Sequence, residues 1–187
     1  MQDQRIVISG TFTVDPITSP LRHWQSWLGW SGDVIAAPYG QLFQQLLDPT
    51  SSFAGNHSGV NLILLRTADW LSETEPTAAD ARLMDFITAI DTFLSRSRAK
   101  LLILICDSTS EVQSTAGAPT AGTATGLEER LHQQLAQRPA LQWVSAQEIQ
   151  RLYPVANPCD SVTHRAAHVP YRPEYYAALA AVACRRI

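Results

Sequence analysis

The chain has 187 residues, 45% of them hydrophobic, which is enough for one sizeable core and short for two. Fourteen Lys and Arg stand against 17 Asp and Glu without a basic block, so a nucleic-acid partner is not expected. No apolar run of about 18 residues and no basic-then-apolar leader occurs, and Cys106, Cys159 and Cys184 are too widely spaced for a Cys-x-x-Cys site, so a cytoplasmic, metal-free protein is expected.

Arg5-Ile6-Val7-Ile8-Ser9 reads as a short buried strand, left by a turn at Gly10 and Thr11. Leu21, Trp24, Trp27 and Leu28 recur at three- and four-residue steps, the stripe of a helix packed on a sheet. A second strand is expected over 33–37, and a short helix over 41–47 stopped by Asp48-Pro49, because proline disfavours helical geometry in the residue before it. Val60 to Leu65 has the continuous apolar character of a parallel strand covered on both faces. Leu83, Phe86, Ile87, Ile90, Phe93 and Leu94 give the cleanest helical period, with Thr77 and Asp80 spaced as a capping box.

A fourth buried strand covers 100–106. Residues 107–125 follow, 15 of 19 being Ser, Thr, Ala, Gly or Pro, too few apolar groups to offset the entropy of ordering, so a mobile loop is expected. Thr125 with Glu128 and Ser145 with Glu148 again have capping-box spacing, around a helix carrying Leu127, Leu131 and Leu135 and a last strand over 141–144. After a Pro-containing link, residues 173–186 close the chain as a helix. Strands alternating with helices predict a single α/β domain over 1–187, three-layer α/β/α with a mainly parallel five-stranded sheet of flavodoxin-like or SGNH-like type. Ligands of such folds bind beyond the carboxyl ends of the strands.

Ala37-Pro38-Tyr39-Gly40-Gln41, the helix ending in Asp48-Pro49, the strand ending in Arg66, and Asp69-Trp70 together resemble a domain embedded in polyketide and nonribosomal peptide synthetases. That domain is similar to the N-terminal part of FkbH-like proteins and, more distantly, to SGNH hydrolases. His168-Val169-Pro170-Tyr171 resembles the segment that ends these relatives. The resemblance implies an accessory domain excised from a multidomain synthetase, with neighbouring synthase domains or an acyl or peptidyl carrier protein as partners. No FkbH-type phosphoryl chemistry is implied, since the chain has no Asp-x-Asp motif of a haloacid-dehalogenase domain.

Aligning Gly10 with the glycine of the hydrolase Gly-Asp-Ser puts Thr11 at the aspartate and Phe12 at the serine. Ser9, Thr11 and Thr13 remain as candidate hydroxyls, either nucleophiles or groups serving turn hydrogen bonds and binding. His168 resembles the late histidine that serves as general base, against the alternative of a histidine pinning its loop. Where the hydrolases put an aspartate three residues earlier this chain has Arg165, and Asp160 reaches only if the loop folds back. The oxyanion asparagine is absent, and Gly40 stands where several relatives carry Asn; losing one such donor costs about 3 kcal/mol of transition-state stabilisation.

Tyr39, Gln41, Arg66, Asp69 and Tyr171 are the expected substrate-binding residues. Arg66 suits a carboxylate or phosphate, or else an ion pair with Asp69. Cys106 is expected at the same rim, either buried and inert or activated by a positive neighbour. His23, His57 and His132 read as structural or solvated, and His164 as exposed. The tryptophans at 24, 27, 30, 70 and 143 read mostly as core, with Trp30 and Trp70 bordering a pocket. No glycine-rich phosphate loop is present and no cofactor is expected. Two functions follow: a degenerate scaffold or docking domain, or an acyl-processing domain acting as thioester hydrolase or acyl transferase.

Overall fold

The computed structural model describes residues 4–71, 76–106 and 121–187, with side chains of 76–78 and 121–125 excepted. Five strands, β1 (Ile6–Gly10), β2 (Val34–Ala36), β3 (Val60–Leu65), β4 (Lys100–Ile105) and β5 (Leu141–Val144), pair in parallel in the order β2-β1-β3-β4-β5. This is the doubly wound order expected of strands whose residues are apolar on both faces. Ile6, Ile8, Leu62, Leu64, Leu102 and Leu104 pack on one face against α1 (Thr18–Leu28) and α8 (Pro173–Arg186). Their neighbours Val7, Ile63, Leu65, Leu101, Ile103 and Ile105 pack on the other against α2 (Leu42–Leu47), α4 (Pro76–Arg96) and α5 (Ala121–Leu135). A three-layer sandwich results, and the expected fold class holds.

The helices needed more correction than the strands. In α1 the buried face is Leu21 with Gln25, while Trp27 is 77% exposed and Leu28 is exposed too. A preceding 3-10 turn, Asp15–Ile17, sets the rotation, and the buried Gln25 amide reaches the carbonyl of Gln4 at 2.9 Å. A polar side chain thus takes an inward position that the periodicity gave to tryptophan. Two short helices went unexpected: α3 (Ala68–Leu71) and α7 (Ser161–Ala167), the latter with no buried residue and hence no apolar stripe to read. The helix α6 (Ala146–Leu152) begins at the Ser145 cap, whose hydroxyl accepts from Glu148 N–H at 3.1 Å, as the capping-box spacing implied.

Of the expected loop over 107–125, residues 107–120 lie outside the described residues, whereas 121–125 are the first turns of α5. Thr125 is therefore inside a helix and not its cap, and Glu128 instead accepts from Ala146 N–H at 3.3 Å. The helix α4 starts at Pro76, ahead of Thr77, whose side chain is outside the described set. Gly59 needs no side chain for a steric reason: a Cβ there would lie 2.0 Å from the carbonyl oxygen of Arg5, the acceptor that starts the β1–β3 pairing through Val60 N–H. Among the described residues no helix is long and apolar enough to cross a membrane.

Candidate functional site

The strand order reverses between β1 and β3, so the crevice of the sheet opens where these two strands end. Thr11 leaves β1 there and Arg66 leaves β3. Thr11 Oγ1 donates to Asp69 Oδ2 at 2.7 Å and accepts from the Arg66 backbone N–H at 3.0 Å. The Arg66 guanidinium pairs with Asp69 Oδ1. The turn into α3 closes this triad, with Asp69 N–H donating to Arg66 O at 3.2 Å. Arg66 is 1% exposed, so the whole pair sits in low dielectric. Burial raises the Asp69 carboxyl above its ordinary value, opposed by the charge of Arg66, the Thr11 hydroxyl and the charge of His164.

A second layer of the rim comes from the link before α8. Asp160 does not fold back as an orienting carboxylate. It caps α7, Oδ1 accepting from Val162 N–H at 3.0 Å and Thr163 N–H at 3.2 Å. His168 ends the same helix in the left-handed region, φ 54°, its N–H donating to His164 O at 2.9 Å. Its carbonyl accepts from Thr13 N–H at 2.9 Å, and Thr13 Oγ1 donates to Ala167 O at 2.8 Å. The imidazole is exposed and stacks on Tyr39, ring centroids 4.4 Å apart and planes 8° from parallel. The loops after β1, after β2 and before α8 are therefore tied together at one end of the sheet.

The sequence-expected residues fall into two groups. Thr11, Arg66 and Asp69 form one buried polar unit, and Thr13, Tyr39 and His168 an exposed one. The hydroxyls of Thr11 and Thr13 are engaged with Asp69 and with a backbone carbonyl, not with the His168 ring. Ser9 is 1% exposed within β1, opposite Ile63 in register, and its Oγ has no hydrogen-bond partner among the described residues. Gln41 sits at the start of α2, its N–H on Pro38 O at 3.3 Å and its carbonyl accepting from Gln45 N–H at 2.8 Å. Tyr171 is buried close to Cys106, Tyr175, Arg66 and Asp69, and burial pushes its phenol well above the ordinary range. Cys106 is likewise buried at the end of β4. Of the tryptophans expected to border a pocket, Trp70 is buried against Phe86 at 5.2 Å.

Two features escaped the sequence. His164, expected to be exposed, is half-buried and within electrostatic reach of Asp69. Its position four residues before His168 was the available signal, readable only once α7 is known to be helical. Phe12, at the expected serine position, is 2% exposed and packs edge-on against Tyr171 at 5.2 Å and Tyr176 at 6.5 Å. Among the described residues no three His, Cys, Asp or Glu side chains are grouped to hold a metal ion.

No family model and no curated protein matches the chain. Solved structures do, and they define its class as an α/β fold shared with SGNH/GDSL-like hydrolases. The N-terminal part of the protein BF1531 from Bacteroides fragilis, which contains a phosphatase domain complexed with Mg, superposes with a TM-score of 0.79 at 11% identity over 98% of this chain. The chain spans about half of that structure, 51%. An acetyl xylan esterase, AlAXEase, gives 0.68 at 10% identity over 97% of this chain and 99% of its own. A GDSL-like lipase, BT0569, from Bacteroides thetaiotaomicron gives 0.59 at 12% identity over 98% and 87%. At these identities the likeness establishes the fold and leaves the activity to the site.

Proposed function

We propose that this chain is an accessory domain of a polyketide or nonribosomal peptide assembly line, in which an SGNH-like fold serves as a scaffold or docking surface for neighbouring synthase domains or a carrier protein. The observation that carries the reading is Phe12. The position expected for a nucleophilic serine holds a buried ring packed among Tyr171 and Tyr176, where an attacking group would need exposure and a base. The surrounding hydroxyls support it, since Thr11 and Thr13 hold loops together and Ser9 is enclosed. The exposed Tyr39–His168 stack then offers recognition in place of catalysis, Tyr39 being 49% exposed.

One observation favours the second reading, an acyl-processing domain: Thr11 Oγ1 lies 2.7 Å from a carboxylate at the carboxyl ends of the strands. Intact-protein mass spectrometry with acyl-carrier and short-chain thioesters separates the two, with Thr11→Ala and His168→Ala as controls. A Thr11- or His168-dependent adduct or turnover overturns the scaffold reading. Saturable carrier-protein binding that weakens on Tyr39→Ala, without an adduct, supports it.

A further inference from the structure

A separate cavity of about 830 Å³ lies between α1, α7 and the start of α8, within the size range of small-molecule pockets. Pro20, Trp24, Pro173 and Ala177 line it together with the buried Tyr171 and Tyr176. Its floor is held from behind. Tyr171 packs on Phe12 at 5.2 Å and on Tyr175 at 4.6 Å, its strand-like bridge to Cys159 fixes the backbone, and Tyr176 Oη donates to Thr13 O at 3.3 Å. Prolines and clamped aromatic rings have little freedom left to lose, so the cavity is formed before any occupant arrives.

Its polar lining is uneven. Thr163 Oγ1 is engaged with Val169 O at 2.8 Å. Asp160 uses Oδ1 for both helix-capping N–H groups and has the Thr163 hydroxyl close to the same carboxyl, and Oδ2 has no backbone partner among the described residues. The capping bonds to Thr163 and Val162 hold this half-exposed carboxyl below its ordinary range, so it is charged at neutral pH. Arg172 shares its field, and His23 also lines the cavity; these are the groups that would favour an anionic head.

We propose that this cavity binds a small apolar amine, its aliphatic or aromatic body against Trp24, Tyr171 and Tyr176 and its ammonium group on Asp160 Oδ2. An ammonium there gains an ion pair on top of its hydrogen bond and the faces of electron-rich rings, whereas a neutral hydroxyl gains the hydrogen bond alone. The site meets the surroundings of the Thr11–Asp69–Arg66 unit only at Tyr171, and its occupancy does not depend on the assembly-line reading.

The test is calorimetric titration of the full chain with phenethylamine, 2-phenylethanol and 3-phenylpropanoate. The amine is expected to bind about five-fold more tightly than the alcohol, as a charge-assisted contact at a half-exposed site allows. Asp160→Asn keeps the cap, since asparagine caps as well as aspartate, and is expected to erase that preference. Ala177→Trp fills the cavity from an exposed helix position and is expected to abolish binding of all three. Equal binding of amine and alcohol, tighter binding of the carboxylate, or an amine preference that survives Asp160→Asn overturns the proposal. So does binding unchanged in a folded Ala177→Trp variant, or no saturation by about 10 mM amine.

Discussion

Replacing Asp69 by alanine leaves the Arg66 guanidinium, 1% exposed, without the carboxylate that its NH1 meets, and leaves the Thr11 hydroxyl without its 2.7 Å acceptor. Breaking a buried ion pair from one side costs about 3–5 kcal/mol, and a hydrogen bond lost on top costs about 1 kcal/mol. The raised Asp69 pKa reduces this sum, because it means that burial of the carboxylate outweighs what Arg66 and Thr11 return. An expected loss of about 3 kcal/mol remains, equivalent to roughly 6–12 °C in Tm for a domain of this size. The same reasoning makes the pair as a whole dispensable: Arg66→Met with Asp69→Leu should recover most of the loss, since neither charge is then buried. Urea unfolding of Arg66→Met, Asp69→Leu and the double closes the cycle. An Asp69→Ala variant within about 0.5 kcal/mol of the parent, or a double variant as unstable as the sum of the singles, refutes the argument. The pH dependence carries an independent sign. A folded pKa raised above 3.8 makes this group's contribution greatest below that value and lost as pH rises through the folded pKa. Asp69→Asn should therefore flatten the decline of stability over that window.

Other positions test the packing and the rim. Gly59→Ala should cost about 3 kcal/mol, because its Cβ falls 2.0 Å from Arg5 O and 2.5 Å from Asn56 Oδ1. Gly126→Ala, in α5 with nothing within 4 Å, should instead raise stability by about 1 kcal/mol; both are read by thermal unfolding, and equal signs would contradict the steric account. At His168, φ 54°, glycine should unfold at a higher temperature than alanine by the equivalent of about 1 kcal/mol, the cost of a side chain in the left-handed region, and equality would refute that cost. Burial pushes the Cys184 thiol up to about 11, so its alkylation at pH 8 should run roughly 100-fold below that of an ordinary cysteine and climb about tenfold per pH unit, as followed by peptide mass spectrometry.

The strands were legible because parallel strands buried on both faces leave unbroken apolar runs, and β3 and β4 occupy 60–65 and 100–105 as the hydrophobicity alone implies. The heptad-like stripe of α4 was legible for the same reason, Leu83, Phe86, Ile87, Ile90 and Phe93 all being buried. What failed was placed by polar contacts. The rotation of α1 depends on a buried Gln25 bonding a carbonyl 21 residues away, and α7 rests on its Asp160 cap with no buried residue of its own. At the site, the Arg66–Asp69 ion pair could be named from its i,i+3 spacing, but the third member, Thr11, lies 58 residues from Asp69 and joins only through the register of β1 and β3. Sequence distance does not reveal that α7 intervenes between Asp160 and His168.

Phe12, which the alignment of Gly10 sets at the expected serine position, takes its role from what surrounds it. Here the ring joins Tyr171, Tyr175 and Tyr176 in one aromatic cluster that also forms the wall of the cavity beside α1. Tyr171 touches both worlds, buried close to Cys106 and Asp69 on one side and lining that cavity on the other. These side chains hold the link before α8 in place. Each aromatic removed from that cluster costs about 3–5 kcal/mol of core. A single Phe12→Ser exchange should therefore destabilise the domain in thermal unfolding, and on the scaffold reading proposed above it should return no esterase activity.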